Sequence, residues 1–220
     1  RCRYCHNADT WDRDGGQLLS ATQILDRAER YRSYWGPEGG ITVSGGEALL
    51  QAGFVAELFE EAHRRGIGTC LDTSLQPFTR NEPFFPTFSR VIKSCDLVLA
   101  DIKHIDPERH RWLTGHGNEN ILDGLRFLAE VGEPVWIRQV LVPGVYSDFT
   151  KDEMLVFAEL QATREFVDGL PNVERVEVLP YHTLGKFKWD GLGIPYPLEG
   201  VEPPSQESIE HARRILCKGE

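Results

Sequence analysis

Short runs rich in Val, Ile and Leu alternate with longer helical patterns from one end of the chain to the other. This alternation limits the fold more than any other feature. The runs cover residues 40–44, 68–73, 97–102, 135–142 and 173–179. Each is nearly continuous in its hydrophobicity, as strands covered on both faces in a parallel sheet are. The segments between them carry helix signals. Ser20-Ala-Thr-Gln23 and Thr150-Lys-Asp-Glu153 read as capping boxes, Asp106-Pro107 as an N-cap followed by proline at the first helical position, and Ser205 as the cap of a last helix. Residues 50–65 place Val55, Leu58, Phe59 and Ala62 on one stripe, with Glu60–Arg64 and Glu61–Arg65 as i,i+4 pairs on the wet side. Strand–helix alternation with right-handed crossovers leaves a doubly wound sheet or an open, partial barrel. Five strands in 220 residues fall short of a closed eight-stranded barrel, which takes about 250. The Pro-rich stretch 195–204 reads as a crossing loop before the last helix, so residues 1–220 are expected to form one domain.

Charge and cysteine usage exclude several classes of function. Lys and Arg number 24 against 34 Asp and Glu, a net charge of −10, whereas nucleic-acid binders usually show a basic footprint. No run of eighteen apolar residues occurs, so no membrane span is expected. The five cysteines (Cys2, Cys5, Cys70, Cys95, Cys217) are too sparse and of the wrong parity for a secreted disulfide framework. A reducing compartment, the cytoplasm, and a monomer are expected. The chain opens at Arg1 without an initiator Met, and its N-terminus is read as truncated.

In parallel α/β folds the ligand site lies at the C-terminal ends of the strands. Polar clusters follow all five: Ser44-Gly45-Gly46-Glu47, Asp72-Thr73-Ser74, Asp101-Ile102-Lys103-His104, Arg138, and Tyr181-His182. Taken singly each has a bland reading, namely a tight turn, a capped turn, an i,i+2 ion pair or a loop histidine. Arg138 in an apolar strand has few innocent explanations, because an unpaired buried guanidinium is costly.

Cys2-Arg3-Tyr4-Cys5 is a C-x-x-C ahead of a βα pattern, which by itself suits a zinc half-site or a thioredoxin-like redox pair. Zinc would need a second ligand pair, and Cys70 and Cys95 lack that spacing. Together with Gly45-Gly46-Glu47, the segment resembles the radical S-adenosylmethionine (SAM) enzymes, whose motif is C-x-x-x-C-x-aromatic-C followed by a strand ending in Gly-Gly-Glu. The first cysteine of that motif would fall three residues before Arg1. Within this superfamily the chain is similar over essentially its whole length to the activating enzymes of glycyl radical enzymes, those of pyruvate formate-lyase above all. The shared stretches are RCRYCHNADTW at 1–11, SGGEALLQ at 44–51, TCLDT at 69–73, DLVLADIK at 96–103, VWIRQVLVPG at 135–144 and LPYHTLGKFKW at 179–189. Ser74 and Leu75 stand where the family commonly has Asn-Gly after the Thr, so the backbone of that turn is not carried over by the resemblance.

The resemblance implies an open partial (β/α)6 TIM-like barrel of parallel strands, with one strand upstream of Arg1. It implies a [4Fe–4S] cluster held by Cys2, Cys5 and the upstream cysteine, its fourth iron open to SAM. Reductive cleavage of SAM would yield a 5′-deoxyadenosyl radical that takes hydrogen from a glycine of pyruvate formate-lyase, the protein partner. Gly45, Gly46 and Glu47 would receive the methionyl ammonium, Lys103 and Arg138 its carboxylate, and Asn7, His182 and Tyr4 the ribose and adenine. Asp72, Thr73, Asp101 and a backbone oxygen at Leu99 would hold a monovalent cation, Na or K. The reductant would be of flavodoxin or ferredoxin type. No cysteine lies between Cys5 and Cys70, so the extra-cluster insertion of related activases is lacking. Another glycyl radical enzyme, or a small molecule, stays open as the substrate. Lys186, Lys188 and Trp189, just past His182, are candidates for a docking surface, and Cys70, Cys95 and Cys217 for small core residues.

Overall fold

The computed structural model describes residues 1–11, 16–37, 39–145 and 153–217, and their side chains except at 153–157. Five strands, β1 Gly40–Val43, β2 Gly68–Thr73, β3 Leu97–Asp101, β4 Val135–Leu141 and β5 Val173–Pro180, match the apolar runs to within a residue or two. All pair in parallel in the order β1-β2-β3-β4-β5. A strictly sequential order excludes the doubly wound alternative, in which the strand order reverses. With right-handed crossovers it sends every intervening helix to the same side, the arrangement of a partial barrel.

The helices are α1 Ala21–Glu29, α2 Ala52–Arg64, α3 Phe84–Lys93, α4 Pro107–Thr114, α5 Glu119–Val131, α6 Glu153–Asp168, α7 Lys186–Gly191 and α8 Gln206–Leu216. Ser20 caps α1 through a reciprocal box with Gln23, Asp106 accepts from two backbone amides of α4 with Pro107 in its first turn, and Ser205 caps α8. Thr150 lies outside the described residues. On α2 the expected stripe of Val55, Leu58, Phe59 and Ala62 is buried. One of its two wet-side pairs differs. Arg65 does meet Glu61 at 2.7 Å, but Glu60 turns to Arg90 of α3 at 2.9 Å, and Arg64 pairs with Glu61 instead. An interhelical carboxylate–guanidinium fork displaced the local pair, a competition invisible to i,i+4 spacing.

Burial alternates along the central strands. Leu71, Val98, Ala100, Val135 and Ile137 pack under Val55, Phe59, Phe88, Val91, Leu125 and Leu128 of the helices. The other face carries Cys70, Asp72, Leu99, Asp101, Trp136 and Arg138, none of them fully buried. The strands are thus sealed on the helix side and open on the concave side. A second cluster joins Ala8, Leu113, Leu141, Val178, Tyr181, Trp189, Tyr196, Leu198, Ile209 and Leu216, fastening the first residues of the chain to its last segments. The 195–204 stretch contributes Tyr196, whose hydroxyl lies 3.0 Å from that of Tyr181. Cys95 is a buried core residue, Cys70 and Cys217 are half-buried, and none of the five cysteines forms a disulfide. No described helix is long and apolar enough to cross a membrane.

At the N-terminal ends of the strands, Glu133 sits just past α5 with one carboxylate oxygen buried and unpartnered. Burial pushes its carboxyl up to about 7, against a small opposing pull from the Cys95 thiol. A carboxyl raised on folding favours the folded state while protonated, and that contribution is lost as pH climbs from about 4.5 to about 7. Glu133 by itself therefore makes the protein easier to unfold at pH 8 than at pH 5, while His104 and His110, whose imidazoles burial holds below their usual range, act in the opposite direction. Glu133→Gln should remove on the order of 2 kcal/mol of that difference, as one pKa unit corresponds to about 1.4 kcal/mol. Denaturant titrations at the two pH values measure it, and an identical pH dependence in the variant would contradict the assignment.

Candidate active site

Arg138, required by its place in an apolar strand to find a counter-charge, finds two. Its strand position opposes Asp101 on β3. The guanidinium pairs with Asp72 of β2, and its Nε lies 3.9 Å from Asp101 Oδ1. Asp101 Oδ2 in turn holds Lys103 Nζ at 2.8 Å, and that ammonium stands 5.6 Å from the centre of the Tyr4 ring. Period-two alternation puts Asp72, Asp101 and Arg138 on the concave face together. Burial pushes the Asp72 carboxyl up despite Arg138. For Lys103 burial acts downward, but Asp101, with Tyr4 and Cys2, outweighs it and the amine is held above its usual range, charged. Burial raises the Tyr4 phenol, which stays neutral. Two carboxylates and two cations beside a neutral ring form a site for a zwitterion with an attached aromatic group.

The Gly-Gly-Glu turn sits at the end of β1. Gly45 has φ 140, a region that favours glycine, and a Cβ on Gly46 would lie 3.1 Å from Thr10 Oγ1 of the N-terminal loop. Glu47 is the knot of this turn. Its Oε1 accepts from Leu49 N at 3.0 Å and from Thr73 Oγ1 at 2.6 Å, and its Oε2 from Ser74 N at 3.0 Å and Ser74 Oγ at 2.6 Å. Four donors occupy the four lone-pair directions of a carboxylate. Thr73 is therefore turned to Glu47 and away from Asp72, because adjacent strand residues face opposite sides. The turn also keeps a glycine-like backbone without glycine: Leu75 has φ 56, is fully buried, and donates its N–H to Thr73 Oγ1 at 2.9 Å.

Cys2 and Cys5 lie on one turn, with Cys5 N donating to Cys2 O at 3.1 Å, and both are half-buried. Burial raises the Cys5 thiol, so it carries its proton until a metal displaces it. Among the described residues no group of three or more His, Cys, Asp or Glu could hold a metal ion. Two neighbouring soft thiols beside a charged site suit an iron–sulfur cluster.

What holds this turn was not legible in the sequence. Arg3 donates from Nε to Trp112 O at 2.7 Å and lies 4.3 Å from the Trp112 ring centre, pinning the turn to α4. Trp189 of α7 donates to Cys5 O at 2.9 Å, and Lys188 to Asn7 Oδ1 at 2.8 Å while lying 3.1 Å from Asp9. His6 and His182 meet edge to face at 5.2 Å. The expectation that Lys186, Lys188 and Trp189 form an exposed docking surface is corrected for two of the three. Trp189 is 3% exposed, and Lys188 is committed to the N-terminal loop; Lys186 pairs with Glu199 at 2.7 Å on the surface. The apolar and aromatic spacing around Trp189 was the available signal, since Trp11 packs on it at 4.8 Å.

Known proteins share this architecture. Residues 1–151 match the model of the Radical SAM superfamily. A "Pyruvate formate-lyase-activating enzyme" of Streptococcus mutans is 45% identical over 218 residues, 98% of this chain and 80% of that protein. The crystal structure of a domain of a pyruvate-formate lyase-activating enzyme from Bacteroides vulgatus has 29% identity and a TM-score of 0.61, covering 81% of this chain and 92% of that one. A radical SAM methyltransferase from Sphaerobacter thermophilus shares the fold, at 19% identity and a TM-score of 0.62 over 98% of this chain and 59% of its own. The chain belongs to the radical SAM superfamily, in the family of the pyruvate formate-lyase-activating enzymes.

Proposed function

We propose that the chain activates pyruvate formate-lyase by making a glycyl radical on it, with SAM and a [4Fe–4S] cluster as cofactors. The near full-length likeness to pyruvate formate-lyase-activating enzymes carries this reading, and the charged site beside Cys2 and Cys5 supports it. The cluster and SAM supply the radical chemistry when bound. Cys2 and Cys5 would provide two of the thiolates that hold the cluster. Residues 1–220 act as one catalytic domain.

The chain's own residues bind, orient and shield. Lys103 and Arg138 pair with the methionyl carboxylate, which replaces part of their present contact with Asp101 and Asp72. Glu47 would accept from the methionyl ammonium in place of a hydroxyl donor, since the Thr73 and Ser74 hydroxyls can both rotate. The Gly45–Gly46 backbone admits it closely. The neutral ring of Tyr4 would help place the adenine, and Asn7 and His182 would serve the ribose and adenine side. Asp72 and Asp101, with the backbone oxygens of Thr73 and Leu99, would be left to hold a monovalent cation, Na or K, for which hard oxygen donors are suited. A flavodoxin or ferredoxin-type protein supplies electrons, and the enzyme works as a cytoplasmic monomer.

Full-length protein, reconstituted anaerobically with iron and sulfide and mixed with SAM, reductant and pyruvate formate-lyase, should give the doublet of a glycyl radical in electron paramagnetic resonance. No doublet there, with one on a different glycyl radical enzyme, would move the function to a sibling activase.

Glu47→Gln should act twice. An amide cannot accept from four donors, so buried N–H or O–H groups are left unpaired at about 1–3 kcal/mol, and SAM affinity should fall about tenfold, which corresponds to about 1.4 kcal/mol. Thermal unfolding reads the first effect and equilibrium dialysis with SAM the second. A destabilised variant with unchanged affinity would leave Glu47 a purely structural knot.

A further inference from the structure

Asn7, two residues past Cys5, has a backbone that is already fixed. Its carbonyl accepts from Thr10 N at 3.0 Å and from Thr10 Oγ1 at 2.7 Å. Just ahead of it, Trp189 holds the Cys5 carbonyl at 2.9 Å. The side-chain amide is a separate matter. An asparagine amide presents two donors at one end and an acceptor at the other, and half a turn about its last torsion exchanges them. Which end faces a ligand is therefore a choice that the backbone does not make.

Lys188 makes that choice. Its ammonium donates to Asn7 Oδ1 at 2.8 Å and lies 3.1 Å from Asp9 Oδ1. An ammonium has three donors and no acceptor, so only the oxygen end of the amide can face it. The Nδ2 end is turned away, and no described residue accepts from it. The arrangement has firm support. The Lys188 side chain is 19% exposed and follows directly on α7 before the buried Trp189. Gly185, just before that helix, approaches His6 so closely that an added Cβ would stand 2.8 Å from the His6 Cα. The helix that carries the ammonium and the turn that carries the amide are thus in backbone contact.

We propose that Lys188 is a positioning residue for SAM: it fixes the Asn7 amide with Nδ2 outward, as a donor to the nucleoside part of the ligand. This rests on the proposed function, because that reading puts Asn7 on the ribose and adenine side. The ring nitrogens of adenine and the ring oxygen of ribose accept hydrogen bonds and cannot donate them. An amide with its oxygen outward would meet them lone pair to lone pair. Lys188 acts on the ligand only through the amide. The competing account is a plain tie between α7 and the N-terminal loop. Asp9, itself exposed, would serve that purpose without Asn7, and an ion pair of this kind contributes little stability.

A double-mutant cycle on SAM affinity tests the role, using cluster-loaded full-length protein and equilibrium dialysis. Lys188→Met should weaken SAM binding about fivefold, the size of one neutral hydrogen bond. Lys188→Arg, again a donor with no acceptor, should stay within about twofold of wild type. Asn7→Ala should weaken binding by a factor similar to that of Lys188→Met. Adding Lys188→Met to Asn7→Ala should then lose nothing further, because residues that act through one contact are not additive. Iron and sulfide content should match wild type in every variant. Equal losses from Lys188→Met in both backgrounds overturn the proposal and make Lys188 a tie on the loop. Unchanged affinity in Lys188→Met, or iron and sulfide lost with it, overturns the proposal as well. A wild type that assembles its cluster and binds no SAM would instead refute the proposed function, and Lys188 would have no ligand to position.

Discussion

The contact between Arg138 and the carboxylates of Asp72 and Asp101 is the constraint around which the concave face is built. Three neighbouring strands each place one charged group there, and none could stand alone in a half-buried site without a large desolvation cost. Lys103 completes the set from just beyond β3, with Asp101 shared between it and Arg138. A closed barrel would fill this volume with packed side chains. Here the sheet stays open, and three of the inward-facing residues, Asp72, Asp101 and Arg138, are charged, so the fold keeps a polar wall where a closed barrel has a core. The same charges that pair with one another here are those that a zwitterionic ligand can take over.

The N-terminal turn depends on elements far away in the chain. Arg3 leans on α4 and Cys5 is held by α7, so the turn is clamped between the end of one βα unit and the segment that follows the last strand. Ala8 and Trp189 lie in one apolar cluster with Tyr181, Tyr196 and Ile209. The position of the two thiols thus depends on the docking of the C-terminal third of the chain. Disturbing α8 or the 195–204 loop would be felt both at Cys5 and at the β4–β5 edge of the sheet, whereas β1, β2 and β3 are anchored by a separate cluster of helix residues.

What the sequence disclosed divides along physical lines. Strand positions were legible because continuous apolar runs leave little choice of register, and Arg138 was legible because charge in such a run demands a partner. Caps at Ser20, Asp106 and Ser205 were legible because their donors are local. Long-range side-chain choices were not. Glu60 has two guanidiniums within reach, and only the packing of α2 against α3 decides for Arg90. Trp189 sits in a segment that otherwise reads as exposed, and the partner that buries it is Cys5, 184 residues away. Thr73 was grouped with Asp72 by adjacency, although alternation sends their side chains to opposite faces of β2.

Leu75 shows how an exception of this kind is maintained. A left-handed backbone costs a residue with a Cβ roughly 1–2 kcal/mol, and glycine would remove that cost. Burying a leucine side chain completely contributes about 1.5–3 kcal/mol, and truncating one in a packed core costs about 2–5 kcal/mol once the cavity is counted. Burial outweighs strain, so leucine holds a conformation suited to glycine. The turn is fixed from the other side as well, since Thr73 Oγ1 accepts from Leu75 N and donates to Glu47. Strain of this size persists where the surroundings over-determine the backbone. Here the surroundings are the four hydrogen bonds on Glu47, so the apolar anchor below the turn and the carboxylate knot above it stabilise one geometry together.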